Sequence, residues 1–285
     1  TVPAVYATRT LENEEDRNDG PYNYDGIPDP ERHALRVYQY EKATVSKELV
    51  RYSKREALFM IRRFALVLLL LSIALCAAAG DIALFENLGF SPDGRVFLFG
   101  QYGVSEEDSM PYADLYAVDV VNNSFVSNGV FQMAVERPLS LGQDGRGALF
   151  ALLGEAQAIV DRYQVDHLSN GRLIYILVDG EQPRERISFR DFNADNRYEL
   201  VLLQDQRTSE SGVEASFHIQ FTVIYPDDRS RTVTVGRPGY YRENVEEYRI
   251  TQVLLSPAED AVIIVVEKHT PDGSVRYMVE TTPLQ

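Results

Sequence analysis

From Leu84 to Thr281 the chain alternates short apolar segments with turn residues, and this constrains its fold more than any other feature. Period-two alternation, or apolar runs of four to eight residues bounded by Pro, Asp, Asn and Gly, is the pattern of β-strands. The expected strands are Leu84–Phe90, Val96–Tyr102, Asp114–Val121, Ser124–Val135, Leu173–Val178, Arg186–Phe192, Leu200–Asp205, Ala215–Tyr225, Arg231–Val235, Ile250–Leu255, Val262–Lys268 and Val275–Thr281. Pro92-Asp93-Gly94, Asn122-Asn123, Pro226-Asp227-Asp228 and Pro271-Asp272-Gly273 supply reversals between them. Between Gly147 and Tyr163 the period changes. Leu149, Leu152, Leu153, Ala156, Ile159, Val160 and Tyr163 recur at helical spacing, which predicts one amphipathic helix over about 147–163. The fold class expected is mainly β, with antiparallel sheets arranged as a sandwich or a propeller and one helix packed on them.

Upstream lies the run Phe64–Ala79, sixteen apolar or small residues preceded by Met60-Ile61-Arg62-Arg63 and ending in Ala77-x-Ala79. A basic segment, an apolar stretch and a small-residue end are the parts of an export signal. The domains expected are therefore an upstream segment 1–59 without fixed structure, a signal at 60–79, and one exported domain at 80–285. Residues 1–59 then precede a true start at Met60. The alternative is an uncleaved segment anchoring the protein in a membrane, although sixteen residues fall short of the roughly 20 that span a bilayer. Lipidation at Cys76 is a third option, disfavoured by Leu75 before it. Either way the protein is expected outside the cytoplasm, periplasmic or secreted, and at a membrane only through that segment.

Charge narrows the partners. Residues 1–79 hold 11 of the 43 acidic and 11 of the 28 basic residues, so 32 acids face 17 bases in 80–285. A net charge of −15 makes nucleic acid a poor partner. The single cysteine, Cys76, leaves the exported part without any disulfide.

One stretch has the spacing of a cation loop. Asp191, Asn193, Asp195 and Glu199 stand at positions 1, 3, 5 and 9, and the carbonyl of Arg197 at position 7 completes an oxygen shell suited to Ca²⁺. The stretch resembles the calcium loop of FG-GAP repeats. That resemblance implies a structural Ca²⁺ held by Asp191, Asn193, Asp195, the Arg197 carbonyl and Glu199, with Asn196 where those repeats carry a left-handed Gly. The competing reading is a loop whose Asp and Asn side chains satisfy turn amides.

Other candidates are weaker. His167, His218 and His269 lack metal-ligand spacing, and the glycine run 142–147 lacks a phosphate-loop lysine. The cluster of Arg237, Tyr240, Tyr241 and Arg242 reads first as a loop packed on the core and second as a binding surface. Phe90-Ser91-Pro92-Asp93-Gly94-Arg95-Val96 with Asp114–Asp119, and more weakly Leu255–Ile264, resemble the repeat of TolB-like β-propellers, which implies blades and envelope protein partners. From Asp81 onward, through Asp81–Asp93 and Gly147–Asp179, the chain resembles a family of predicted secreted bacterial proteins, which implies export and no particular activity. The function expected is a non-enzymatic binding or scaffold protein of the cell envelope, with an envelope protein or small ligand as partner. The competing class is an envelope hydrolase using carboxylates and a bound metal.

Overall fold

The computed structural model describes residues 80–285 except 141, 179, 211 and 285, and scattered positions before residue 65. The chain divides into two compact units, Thr1–Leu75 and Cys76–Gln285. The expectations for 1–59, the export signal and Cys76 fall almost entirely outside the described residues. No helix among the described residues is long and apolar enough to cross a membrane.

The second unit is built on three antiparallel sheets. The first is a meander of β1 (Leu84–Phe90), β2 (Val96–Val104), β3 (Pro111–Asp119) and β4 (Ser124–Ala134). Two short helices follow, α1 (Arg146–Glu155) and α2 (Gln157–Tyr163). Strand β5 (Arg172–Ile176) comes next. The second sheet joins β6 (Arg186–Arg190), β7 (Arg197–Ser209) and β8 (Gly212–Ile224), with β9 (Ser230–Gly236) and β10 (Arg242–Glu243) also on β8. The third has the order β5-β11-β12-β13, adding β11 (Glu247–Leu255), β12 (Ala261–His269) and β13 (Val275–Pro283).

Strand β12 shows how the layers are stacked. Its run Ala261-Val262-Ile263-Ile264-Val265-Val266 is apolar at every position and buried at every position. Successive side chains of a strand point to opposite faces, so such a run needs cover on both. Val262, Ile264 and Val266 pack with Phe217, Ile219 and Phe221 of the second sheet. Ala261, Ile263 and Val265 pack with Phe90, Phe97 and Phe99 of the first. The third sheet is thus the middle layer of a stacked sandwich. The far face of the first sheet, with Leu98, Tyr102 and Leu115, is covered by Leu149, Leu152, Ile159 and Val160 of the helices. On the far face of the second sheet the side chains are polar instead, as Gln220 donates to Thr234 and Thr222 pairs with Thr232. The sheets do not close into a ring, so the sandwich expectation holds and the propeller expectation does not.

The twelve expected strands all lie on observed ones; only the two-residue β10 was missed. The helix differs. It breaks at Ala156 (φ −81°, ψ 4°) into α1 and α2. The expected face is kept: Leu149, Leu152, Ala156, Ile159 and Val160 are buried. The two propeller-like turns are alike in hydrogen bonding. The Ser91 hydroxyl donates to Asp93 and accepts from the Val96 amide, at 2.6 and 2.9 Å. Ser256 does the same with Asp260 and Ala261, at 2.7 and 3.1 Å. Glu259 takes the left-handed conformation (φ 56°) that Gly94 takes (φ 69°) in the first copy, so the missing glycine changes the residue and not the turn.

Candidate functional site

The acidic loop is shorter than its spacing implies. Strand β7 begins at Arg197, so the reversal spans only 191–196 and is closed by the Asp191 amide donating to the Asn196 carbonyl at 2.8 Å. The left-handed residue is Asp195 (φ 61°), not Asn196. Asp191 is buried, and Arg172 of β5 grips its carboxylate with two parallel hydrogen bonds of 2.9 and 2.8 Å. The Asn193 amide donates to the same carboxylate at 3.0 Å. Hydrogen bonding from Arg172 holds the Asp191 carboxyl below the usual range, and the two acids it contacts raise the pKa of Arg172 itself. Arg172 also donates to Glu259 at 2.6 Å, tying β5, the loop and the β11–β12 turn together.

The other expected ligands are dispersed. Asp195 pairs with Arg190 through a 2.6 Å hydrogen bond. Arg197 and Glu199 are ladder residues of β7, opposite Ile224 and Thr222 of β8, and the Arg197 guanidinium lies 3.7 Å from Asp228. Among the described residues no three His, Cys, Asp or Glu side chains form a group able to hold a metal ion. Of the expected ligands Asp191, Asn193, Asp195, Arg197 and Glu199, the best-buried carboxylate, Asp191, is held by a guanidinium. The histidines are dispersed too: His167 bonds the Leu88 carbonyl at 2.6 Å, and His269 contacts Glu267 at 2.9 Å.

A different region converges. Beside β13, the outer strand of the third sheet, a cleft of about 630 Å³ opens against β2, β3 and β4 of the first sheet and the segment joining β9 to β10. Arg237, Arg242, Lys268 and Arg276 line it, with the acids Asp114 and Glu280. Arg276 is committed to Asp81 at 2.7 Å. The Lys268 side chain makes no ion pair or hydrogen bond among the described residues, and burial lowers its pKa. The Arg242 guanidinium lies 5.0 to 5.8 Å from the ring centres of Phe217, Tyr240 and Tyr248, yet its buried Nη1 has no hydrogen-bond partner. Arg237 meets the ring of Tyr240.

The acids are more constrained than the cations. Burial pushes the Glu280 carboxyl up, so its negative charge is disfavoured, while Asn123 donates to it. Asp114 accepts from Gln101 and Gln132 at 2.9 and 3.2 Å. Burial pushes the Tyr116 hydroxyl up to about 12.

Sequence reading singled out Arg237, Tyr240 and Arg242 but could not assign them a cleft. Lys268, Glu280 and the wall from the first sheet had no motif at all; a lysine and a glutamate interrupting otherwise apolar strand patterns were the signal available.

A search of curated proteins returns no match. The model of a family described as Predicted secreted protein (DUF2259) matches residues 98–282, a span that contains both the cleft and the acidic loop. That description makes the protein extracytoplasmic, as expected. The chain belongs to this family of predicted secreted proteins.

Proposed function

We propose that this exported protein is a binding protein rather than an enzyme, and that the cleft beside β13 holds a small ligand carrying an anionic group. The observation that carries the reading is the pair Arg242 and Lys268, both half-buried in the cleft with the exposed Arg237 at its edge and without ion-pair partners among the described residues, in a chain of net charge −15. Charges that are partly removed from water are normally paired. An anion entering the cleft would supply the missing partner for Lys268 and for Arg242 Nη1.

A hydrolase keeps one supporting observation, since Asp114 and Glu280 line the same cleft. Both carboxylates are held by amide donors, which suits positioning better than proton transfer, so binding is the reading preferred. A stabilising Ca²⁺ at the acidic loop would require Arg172 to leave Asp191.

The test is thermal unfolding of the full chain against acetate, benzoate, inorganic phosphate and phenyl phosphate, each matched in ionic strength with sodium chloride. A ligand of the native state at 100 times its Kd stabilises by about 2.7 kcal/mol. At least one anion should raise the midpoint saturably in the wild type and not in Lys268→Met. If none does so, the cleft is not an anion site.

A further inference from the structure

Resting on that reading, we infer that the ligand joins its anionic group to a flat ring, the ring lying on the aromatic wall of the cleft and the oxyanion meeting the free amide of Val279 beside Lys268 and Arg242.

The wall is a row of stacked rings crossing the first sheet. Phe85 and Phe99 are 5.6 Å apart between ring centres, Phe99 and Tyr116 5.0 Å, and Tyr116 and Phe125 5.4 Å, with interplanar angles of 25° to 27°. Three of these rings line the cleft, and the last, Phe125, is 56 % exposed on the outer strand of its sheet. An exposed ring ending a stack offers one face to a further ring, in the offset geometry that aromatic pairs prefer.

The amide follows from strand alternation. Val275, Tyr277 and Val279 share one parity of β13 with Thr281. The amides of Val275, Tyr277 and Thr281 point away from β12, donating respectively to the Asp81 carbonyl at 3.0 Å and to the side-chain oxygens of Gln101 at 2.6 Å and Asn123 at 2.9 Å. Val279 lies between the last two, so its N–H points the same way, into the cleft it lines. The same side-chain caps exclude an added strand. An extended peptide needs successive free amides along an edge, and Gln101 and Asn123 already occupy those on either side. One donor in a cleft that Lys268 and Arg242 also line suits a compact oxyanion instead. Carboxylate and phosphate share that chemistry, and the probes below separate them.

The experiment is isothermal titration of the full chain with acetate, benzoate, inorganic phosphate and phenyl phosphate. The ringed member of the preferred pair should bind at least tenfold more tightly than its ringless counterpart. Phe125→Ala, at an exposed position, should abolish that preference while leaving the ringless anion unchanged. Val279→Pro removes the amide without breaking a bond to β12, and should weaken both members of the pair in a protein whose circular dichroism is unchanged. Equal affinity with and without the ring, or an equal loss of both in Phe125→Ala, would overturn the inference and leave an anion site standing. Binding by none of the four would overturn both readings.

Discussion

The acidic loop at 191–196 and the cleft beside β13 are opposites. The loop has the more recognisable sequence and the more complete structure: its buried carboxylate is matched by Arg172 inside the protein. The cleft has no recognisable sequence, and among the described residues its buried guanidinium nitrogen has no hydrogen-bond partner and its lysine no ion pair. A satisfied charge holds a fold together, whereas an unsatisfied one marks where something else belongs. The loop is therefore read as structural and the cleft as the place of function, and each of the following measurements can break that division.

The largest effect is expected at the loop. Asp191→Ala leaves Arg172 without its bidentate partner and should lower stability by about 3 kcal/mol in denaturant unfolding, without altering anion binding. Lys268→Met, by contrast, removes a partly buried cation with no partner. Its stability should match or exceed wild type, while its response to anions disappears. A Lys268→Met protein as damaged as Asp191→Ala would show that the cleft is structural as well.

The pH dependence of stability should carry opposite signs in the two regions. Asp191 has a lowered carboxyl in the folded state, so its stabilisation is present above the unfolded value of about 3.9 and is lost as pH falls through the lower folded value. Asp191→Asn should flatten this acid-side loss. Glu280 is raised, so its contribution is present below the unfolded value of about 4.3 and is lost as pH rises through the higher folded one. Glu280→Gln should then be more stable than wild type near neutral pH, and should bind anions more tightly because a competing negative charge is gone. Chemical unfolding of both variants between pH 3 and 8 reads both slopes.

The smallest effect expected is that of calcium. With Arg172 on Asp191, millimolar Ca²⁺ and EDTA should give the full chain the same unfolding midpoint. A rise of several degrees in Ca²⁺ that Asp191→Ala abolishes would show that the loop exchanges its arginine for a metal.

The two regions also differ in how far they were legible. Strands were legible nearly to the residue, because alternation and turn chemistry act locally: Leu84–Phe90 is the same segment in sequence and structure. The apolar run of β12 was legible as a strand, but its burial on both faces, and the layers that cover it, came only with the structure. The helix break at Ala156 left no trace in a periodicity that continues across it. For the loop, spacing alone placed Arg197 and Glu199 among the ligands, since it cannot register that pairing with Ile224 and Thr222 draws both into β7. Arg172, nineteen positions before Asp191, was invisible for a related reason: only the fold brings β5 to that loop. The cleft draws on residues from Phe99 to Glu280, and no local pattern spans such distances.

The most direct test of the central claim is a ¹H–¹⁵N NMR titration of the full chain with benzoate. The account predicts saturable shifts at the Val279 amide and the Arg242 side chain, with residues 191–196 unmoved. Shifts confined to the acidic loop, or none at Val279 under saturating benzoate, would contradict it.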